Sequence, residues 1–278
     1  MTAVLPRRRR FRRPSGWHLV LIPVALLMAA PLIWMAITSL STLAETRHFP
    51  PELPSSLQWG NYVRTWTDSP FGHWLINSTI VSVACVASNL VLCSMAGYAF
   101  ARLRFPGSKV VFIGVLATLM VPFQVTMIPT LLIVKDLGLV DTLPALIVPN
   151  LATPFGIYLL RQFFLSLPVE LEEAALIEGA GRFRILTRIL LPLMGPPLST
   201  LAVLTFLSVW NDFLWPLVVT SSPSTMTVQL GLATFQSSHY TNWPTLMAGT
   251  VLSQLPVLLL FALGQRLFVS SIANTGIK

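Results

Sequence analysis

The residues that could do chemistry are few, and their spacing rules out most of it. The four histidines (His18, His48, His73 and His239) are scattered, with no interval that would gather them on a metal. Cys85 and Cys93 sit inside one apolar segment, with no second pair to make a zinc site or a disulfide framework. No Gly-rich loop ends in Gly-Lys-Ser/Thr, so nothing here cradles a nucleotide phosphate. No Gly-x-Ser-x-Gly or His-Glu-x-x-His occurs. Asp212 with His73 or His239 would be a bare acid–base pair without a supporting motif. The expectation is therefore no catalytic residue, no metal and no cofactor. Two places remain. One is a polar stretch over 168–192 that opens on Glu170, Glu172 and Glu173 and closes on Arg182, Arg184 and Arg188. The other is Asp212, the one acidic residue inside a proposed apolar span. An intramembrane carboxylate is costly and marks a functional site by default.

The elements that position these residues follow from composition. Hydrophobic residues make up 54% of the chain and charged ones only 10%, against about 25% charged in soluble domains. So apolar a surface needs lipid around it, and helices are the element that satisfies its own backbone there. The expected fold class is all-α and polytopic. A span needs about 20 mostly apolar residues, and six candidates appear: Trp17–Leu40, Trp74–Phe100, Val110–Met127, Leu143–Phe163, Pro197–Val219 and Leu246–Val269. Trp17 and Trp34 suit interfacial anchoring. Pro122, Pro149 and Pro154 are expected to kink the third and fourth spans. The second span carries a run of small residues, from Ser82 to Gly97, suited to close helix packing.

Of the 18 basic residues, six lie in the N-terminal run Arg7–Arg10, Arg12 and Arg13. Directly before an apolar span, that run reads as a cytoplasmic anchor on anionic lipid rather than a nucleic-acid contact. With the N-terminus inside, the outer segments hold only Arg47, Arg64 and Lys135 of the 18. This asymmetry predicts six spans with both termini cytoplasmic. It divides the chain into a basic tail over 1–16 and a membrane domain over 17–278. The first apolar stretch is too long for a signal peptide and is read as an uncleaved span. Asn77-Ser78-Thr79 matches a glycosylation acceptor but lies where a span begins, which marks a chance match. Two long outer segments, 41–70 and 220–242, exceed the usual length of simple connectors.

The stretch 168–192 is too polar to span. Pro168 suits a first helical turn, and Glu170, Glu172 and Glu173 suit the positive end of a helix dipole. Gly179 and Gly181 permit a sharp bend. A second, basic helix is predicted to follow and to end at Pro192. Such an elbow, with small Ala174 and Ala175, can lie in a protein groove or rest on a lipid surface, and residue chemistry alone leaves both open.

Glu173-Ala174-Ala175, Gly179, Ile189 and Pro192 resemble, in full spacing, the EAA signature of ABC importer permeases. Asn61-Tyr62, Asn77-Ser78, Gly97-Tyr98-Ala99-Phe100-Ala101-Arg102, Trp210-Asn211-Asp212-Phe213 and Gln265-Arg266-Leu267-Phe268-Val269 are similar to the carbohydrate importer family, in its six-span MalG-type form. Glu178 replaces the usual Asp, keeping the charge, and Ser271 replaces a common Gly. The resemblance implies the type I permease fold. It also implies that Glu173, Ala174, Ala175 and Gly179 dock on an ABC ATPase dimer, with Ile189 and Pro192 in the same motif. A second, MalF-type permease and an extracytoplasmic solute-binding protein are the other implied partners. The implied cargo is a sugar or oligosaccharide, with glycerol phosphate or a polyol as the alternative. Asn211, Asp212 and Gln254 are the candidate pathway residues, because hydroxyl-rich cargo needs amide and carboxylate partners.

Overall fold

In the computed structural model, residues 16–48, 53–236 and 241–275 are described. The basic run Arg7–Arg13 and His239 lie outside the described residues, as do the side chains of 263–275, which include the Gln265–Val269 match and Ser271.

The longest elements form where proline is absent or isolated. Helix α1 spans His18–Ser39, α2 spans Gly60–Thr67 and α3 spans Phe71–Arg102. At ~1.5 Å per residue, the 32 residues of α3 reach about 48 Å, past both edges of a ~30 Å hydrocarbon layer. Proline and short polar breaks cut the middle of the chain into α4 (Ser108–Thr118), α5 (Phe123–Asp136), α6 (Leu143–Ile147) and α7 (Pro154–Ser166). The polar stretch forms α8 (Glu170–Ile177), α9 (Arg182–Ile185) and α10 (Leu191–Leu193), the last two joined by a π-helical turn over Leu186–Leu190. Then come α11 (Gly195–Trp210), α12 (Leu214–Val219), α13 (Val228–Ala233) and α14 (Trp243–Thr275).

Among the described residues, three helices are long and apolar enough to cross a membrane unbroken, at Leu19–Ser39, Phe71–Arg102 and Trp243–Ala262. Three bent helix pairs bring the number to six when each pair is counted as one span. The kink expected at Pro122 is a turn of 104° between α4 and α5, and the third span is corrected in extent, its second arm running past Met127 to Asp136. Pro122 cannot continue α4, and it sits extended at φ −60°, ψ 137° before α5. The fourth span bends 41° between Leu143–Asn150 and Pro154–Ser166, at the prolines expected to kink it. The fifth span is also corrected. Its helix ends at Trp210, and Asn211–Phe213 separates it from α12.

The small-residue face of α3 packs against α7 and α11. Ser78, Ser82, Cys85, Asn89, Cys93 and Gly97 recur three or four residues apart and all are buried there. Gly156 on α7 sits at the three-helix junction. A Cβ there would come within 2.9 Å of Cys93 Sγ and 3.0 Å of Leu201 Cδ1. The small residues of the second span are thus the packing face that lets three backbones converge.

Every break in a membrane helix frees backbone groups that lipid cannot satisfy, and buried amides take them up here. At the α6–α7 break, Asn89 Nδ2 donates to Asn150 O at 2.7 Å, while its Oδ1 accepts from Thr153 N at 3.0 Å and Thr153 Oγ1 at 2.9 Å. At the end of α1, Asn61 Nδ2 donates to Ser39 O and Ser41 O at 2.9 and 3.0 Å. Asn77 Nδ2 donates to Ser224 O at 2.8 Å and Met226 O at 2.9 Å. That occupied, buried amide has no room for a glycan. Trp210 and Trp215 are also buried, and their indoles donate to Ser253 O at 3.2 Å and Ala145 O at 3.0 Å. They are bundle staples rather than interface anchors.

Candidate functional site

The stretch 168–192 is an elbow, and its two arms form for separate reasons. Glu170, Glu172 and Glu173 fill the first turn of α8, where the helix dipole favours carboxylates. The helix ends because Gly179 takes φ +81°. Ala180 N donates back to Ala175 O at 2.9 Å and Gly179 N to Leu176 O at 3.0 Å, the pairing that closes a helix on a left-handed residue. A Cβ on Gly179 would meet nothing within 4 Å, so the constraint there is backbone conformation alone.

The second arm differs from expectation at Pro192. The helical run continues through it to Leu193, and the break falls at Met194, with the run and α11 meeting at 85°. Proline normally clashes with the carbonyl four residues back. The π-helical turn over Leu186–Leu190 widens the coil just before it and absorbs the clash.

The elbow has its own packed base. Tyr98, Phe164, Ala175, Ile185, Leu186, Leu190 and Met194 form one buried cluster. The faces of α8 divide accordingly. Glu172 and Ala175, one turn apart, point into the base. Glu173, Ala174 and Ile177 point outward, Ile177 being 88% exposed. The two alanines expected to share a docking face therefore divide, Ala174 exposed and Ala175 buried in the base. Ile189 is half-buried on the same base, and Pro192 and Gly179 are exposed.

The residue that sequence reasoning passed over is Glu172. It is 3% exposed, and its Oε1 lies 2.8 Å from Arg102 Nε at the end of α3. Its Oε2 accepts from Tyr98 Oη at 3.2 Å and lies 3.6 Å from Arg182 Nη1. Arg102 also donates through Nη2 to Leu167 O at 2.5 Å, just past the end of α7. In return, Arg161 of α7 donates through Nε to Phe100 O near the end of α3, at 3.2 Å, with its guanidinium 4.2 Å above the Phe112 ring. The two arginines thus cap each other's helices, where cations are favoured. The available signal was that three glutamates cannot all face outward from one helical turn, and that Arg102 ends the longest span.

The candidate pathway residues fall at the α11–α12 break. Asp212 Oδ1 accepts from Trp215 N at 3.3 Å and starts α12. Asp212 also lines a cleft of about 310 Å³ with Phe123, Asn150, Ser208 and Trp215. Asn211 is exposed, and its Oδ1 accepts from Gln229 Nε2 at 3.4 Å. Gln254 is half-buried on α14 and does not line that cleft. The three are not gathered into one site. Among the described residues, no cluster of His, Cys, Asp and Glu could hold a metal.

A different carboxylate organises the segment after α12. Asp141, itself at φ 60°, accepts from the Ser222 hydroxyl, Ser222 N at 3.0 Å, Thr225 Oγ1 at 2.5 Å and Ser221 N at 2.8 Å. These donors, the Ser222 hydroxyl foremost, hold its carboxyl well below the usual carboxylate range. Glu45 does the same for the segment after α1. The Ser55 hydroxyl and the Thr42 and Ser55 amides lower its pKa to about 2.

Comparison with known proteins places this geometry. Residues 89–274 match the family described as binding-protein-dependent transport system inner membrane component. The arabinooligosaccharides transport system permease protein AraQ of Halalkalibacterium halodurans is 38% identical over 226 residues, 81% of each chain. The diacetylchitobiose uptake system permease protein NgcG of Streptomyces coelicolor is 32% identical over 270 residues, 96% of this chain and 89% of the relative. A crystal structure of a bacterial ABC transporter involved in the import of the acidic polysaccharide alginate contains a chain that superposes with a TM-score of 0.80 at 26% identity, covering 94% of this chain and 99% of that one.

Proposed function

The chain belongs to the family of binding-protein-dependent transport system inner membrane components, and from that premise we propose how it works and what it carries. It is a multi-pass permease subunit of an ABC importer. The elbow carries the reading. The outward face of α8, with Glu173, Ala174 and the Gly179 bend, is presented on a packed, ion-paired base. Glu173 supplies charge, Ala174 a close fit and Gly179 the bend, while Ala175 and Ile189 pack into the base beneath that face and Pro192 belongs to the same motif. A separate ATPase dimer receives it, and nucleotide-driven closure of that dimer moves the elbow.

One six-span chain is too small to enclose a gated pathway, so a second permease completes it. An extracytoplasmic binding protein delivers the cargo. Carbohydrate names recur among the relatives, which supports a sugar or oligosaccharide. The excess of Lys and Arg in alternate segments supports cytoplasmic termini. Asp212, with Asn150 and Ser208 in its cleft, offers acceptors to a passing hydroxyl-rich solute. Asn211 and Gln254 stand on neighbouring elements of the same path.

The docking role is tested by Ala174→Trp and Glu173→Arg in the complete importer. The expected result is loss of the ATPase from the purified complex and uptake at background. Full uptake with both substitutions would remove α8 as the docking element.

A further inference from the structure

Every covalent connection of α8 to the membrane helices runs through a bend. On one side the chain passes Leu167, extended at ψ 143°. On the other it passes Gly179 at positive φ and then the 85° break at Met194. Neither path transmits a push along a fixed direction. What fixes α8 is Glu172, whose carboxylate faces Arg102 at 2.8 Å with both side chains nearly sealed from solvent, at 3% and 12% exposed. The Arg102 guanidinium grips two elements at once, Glu172 on α8 and Leu167 O past the end of α7. Tyr98, one turn before Arg102, adds a third contact to the same carboxylate.

A buried ion pair contributes little net stability over an apolar pair of equal volume, because desolvation offsets the attraction. It does hold its two elements together, since parting the pair would leave a buried charge uncompensated. We propose that Glu172 and Arg102 are positioning residues that form the joint through which motion of the elbow enters α3. They make α8, the end of α7 and the inner end of α3 a single rigid body. The small-residue face of α3 then carries the displacement to the α3–α7–α11 junction. This inference rests on the importer reading, and it adds the element that receives the force.

The test uses the complete importer in proteoliposomes, with wild type, Glu172→Gln and the exchange Arg102→Glu with Glu172→Arg. The readout is substrate moved per ATP hydrolysed. Glu172→Gln is expected to leave hydrolysis within about twofold and to lower the ratio roughly tenfold, within the range of ordinary coupling free energies. The exchange is expected to recover most of the ratio. A spin-label distance between Glu170→Cys on α8 and Val91→Cys on α3 is read in the full chain in nanodiscs, both native thiols being buried. Its distribution is expected to be narrow in wild type and broad with Glu172→Gln. An unchanged ratio and an unchanged distribution would overturn the joint. So would a fall in hydrolysis equal to the fall in uptake with the distance still narrow, which would mean lost assembly. If the wild-type importer itself shows no ATP-driven uptake, the functional reading fails, while the distance measurement still decides whether the joint is rigid.

Discussion

At the scale of single residues, this protein uses polar side chains to finish backbones that helix breaks leave open. Asn89 is the fullest case, donating to Asn150 O and accepting from Thr153 on the two sides of the α6–α7 break. Replacing Asn89 with Leu strands Asn150 O and Thr153 N in a buried site, at about 3 kcal/mol. The expected outcome is a clearly lower thermal midpoint in detergent, and an unchanged midpoint would remove the staple. Gly179 gives a second residue-scale prediction. Its surroundings are open and its φ is +81°, so Asn should be tolerated there and Val should cost about 1–2 kcal/mol. Uptake by the assembled importer should follow that order. Equal loss with both would mean that the hydrogen of Gly179 meets a partner surface directly. Little of this was legible beforehand. The sequence displays an asparagine, but not which carbonyl a distant break has freed, and Glu172 looked like one of three equivalent glutamates. Gly179 was legible because a bend between an acidic and a basic helix needs a residue that accepts positive φ.

At the scale of elements, the predicted spans hold in number only when bent pairs count as one each. Apolar runs locate the segments well, because hydropathy reports environment. It does not report direction, so Pro122 predicts a kink but not its 104°, and the stop at Trp210 leaves no mark in the apolar run. Pro192 shows the converse. Proline is expected to end the basic arm there, but a π-helical turn upstream relieves its clash and the run continues to Leu193. The segment after α12 is an element held by one carboxylate. Because Asp141 titrates below its ordinary value of 3.8, its contribution is complete above that value and is lost as pH falls through the lower folded one. Protection of the Ser221 and Ser222 amides, relative to their intrinsic exchange rate at each pH, should therefore stay constant from pH 7 to 5 and fall only in stronger acid. Asp141→Asn should quicken exchange at every pH. A loop equally protected in that variant would show that Asn77 and Ser78 hold it unaided.

At the scale of the whole molecule, composition and basic-residue asymmetry defined a membrane bundle, and the motif over Glu173–Pro192 defined its family. The physical link between the two is the elbow's base, where α3, the end of the bent fourth span and α8 meet around one ion pair. In the proposed mechanism, that convergence is where force enters the bundle. The most direct measurement is uptake of a labelled oligosaccharide into proteoliposomes holding this chain, its partner permease and the ATPase, with the binding protein added. The account predicts accumulation against a gradient that requires both ATP and the binding protein, and that disappears with Ala174→Trp. Equal uptake without ATP, or full uptake by the Ala174→Trp importer, would contradict it.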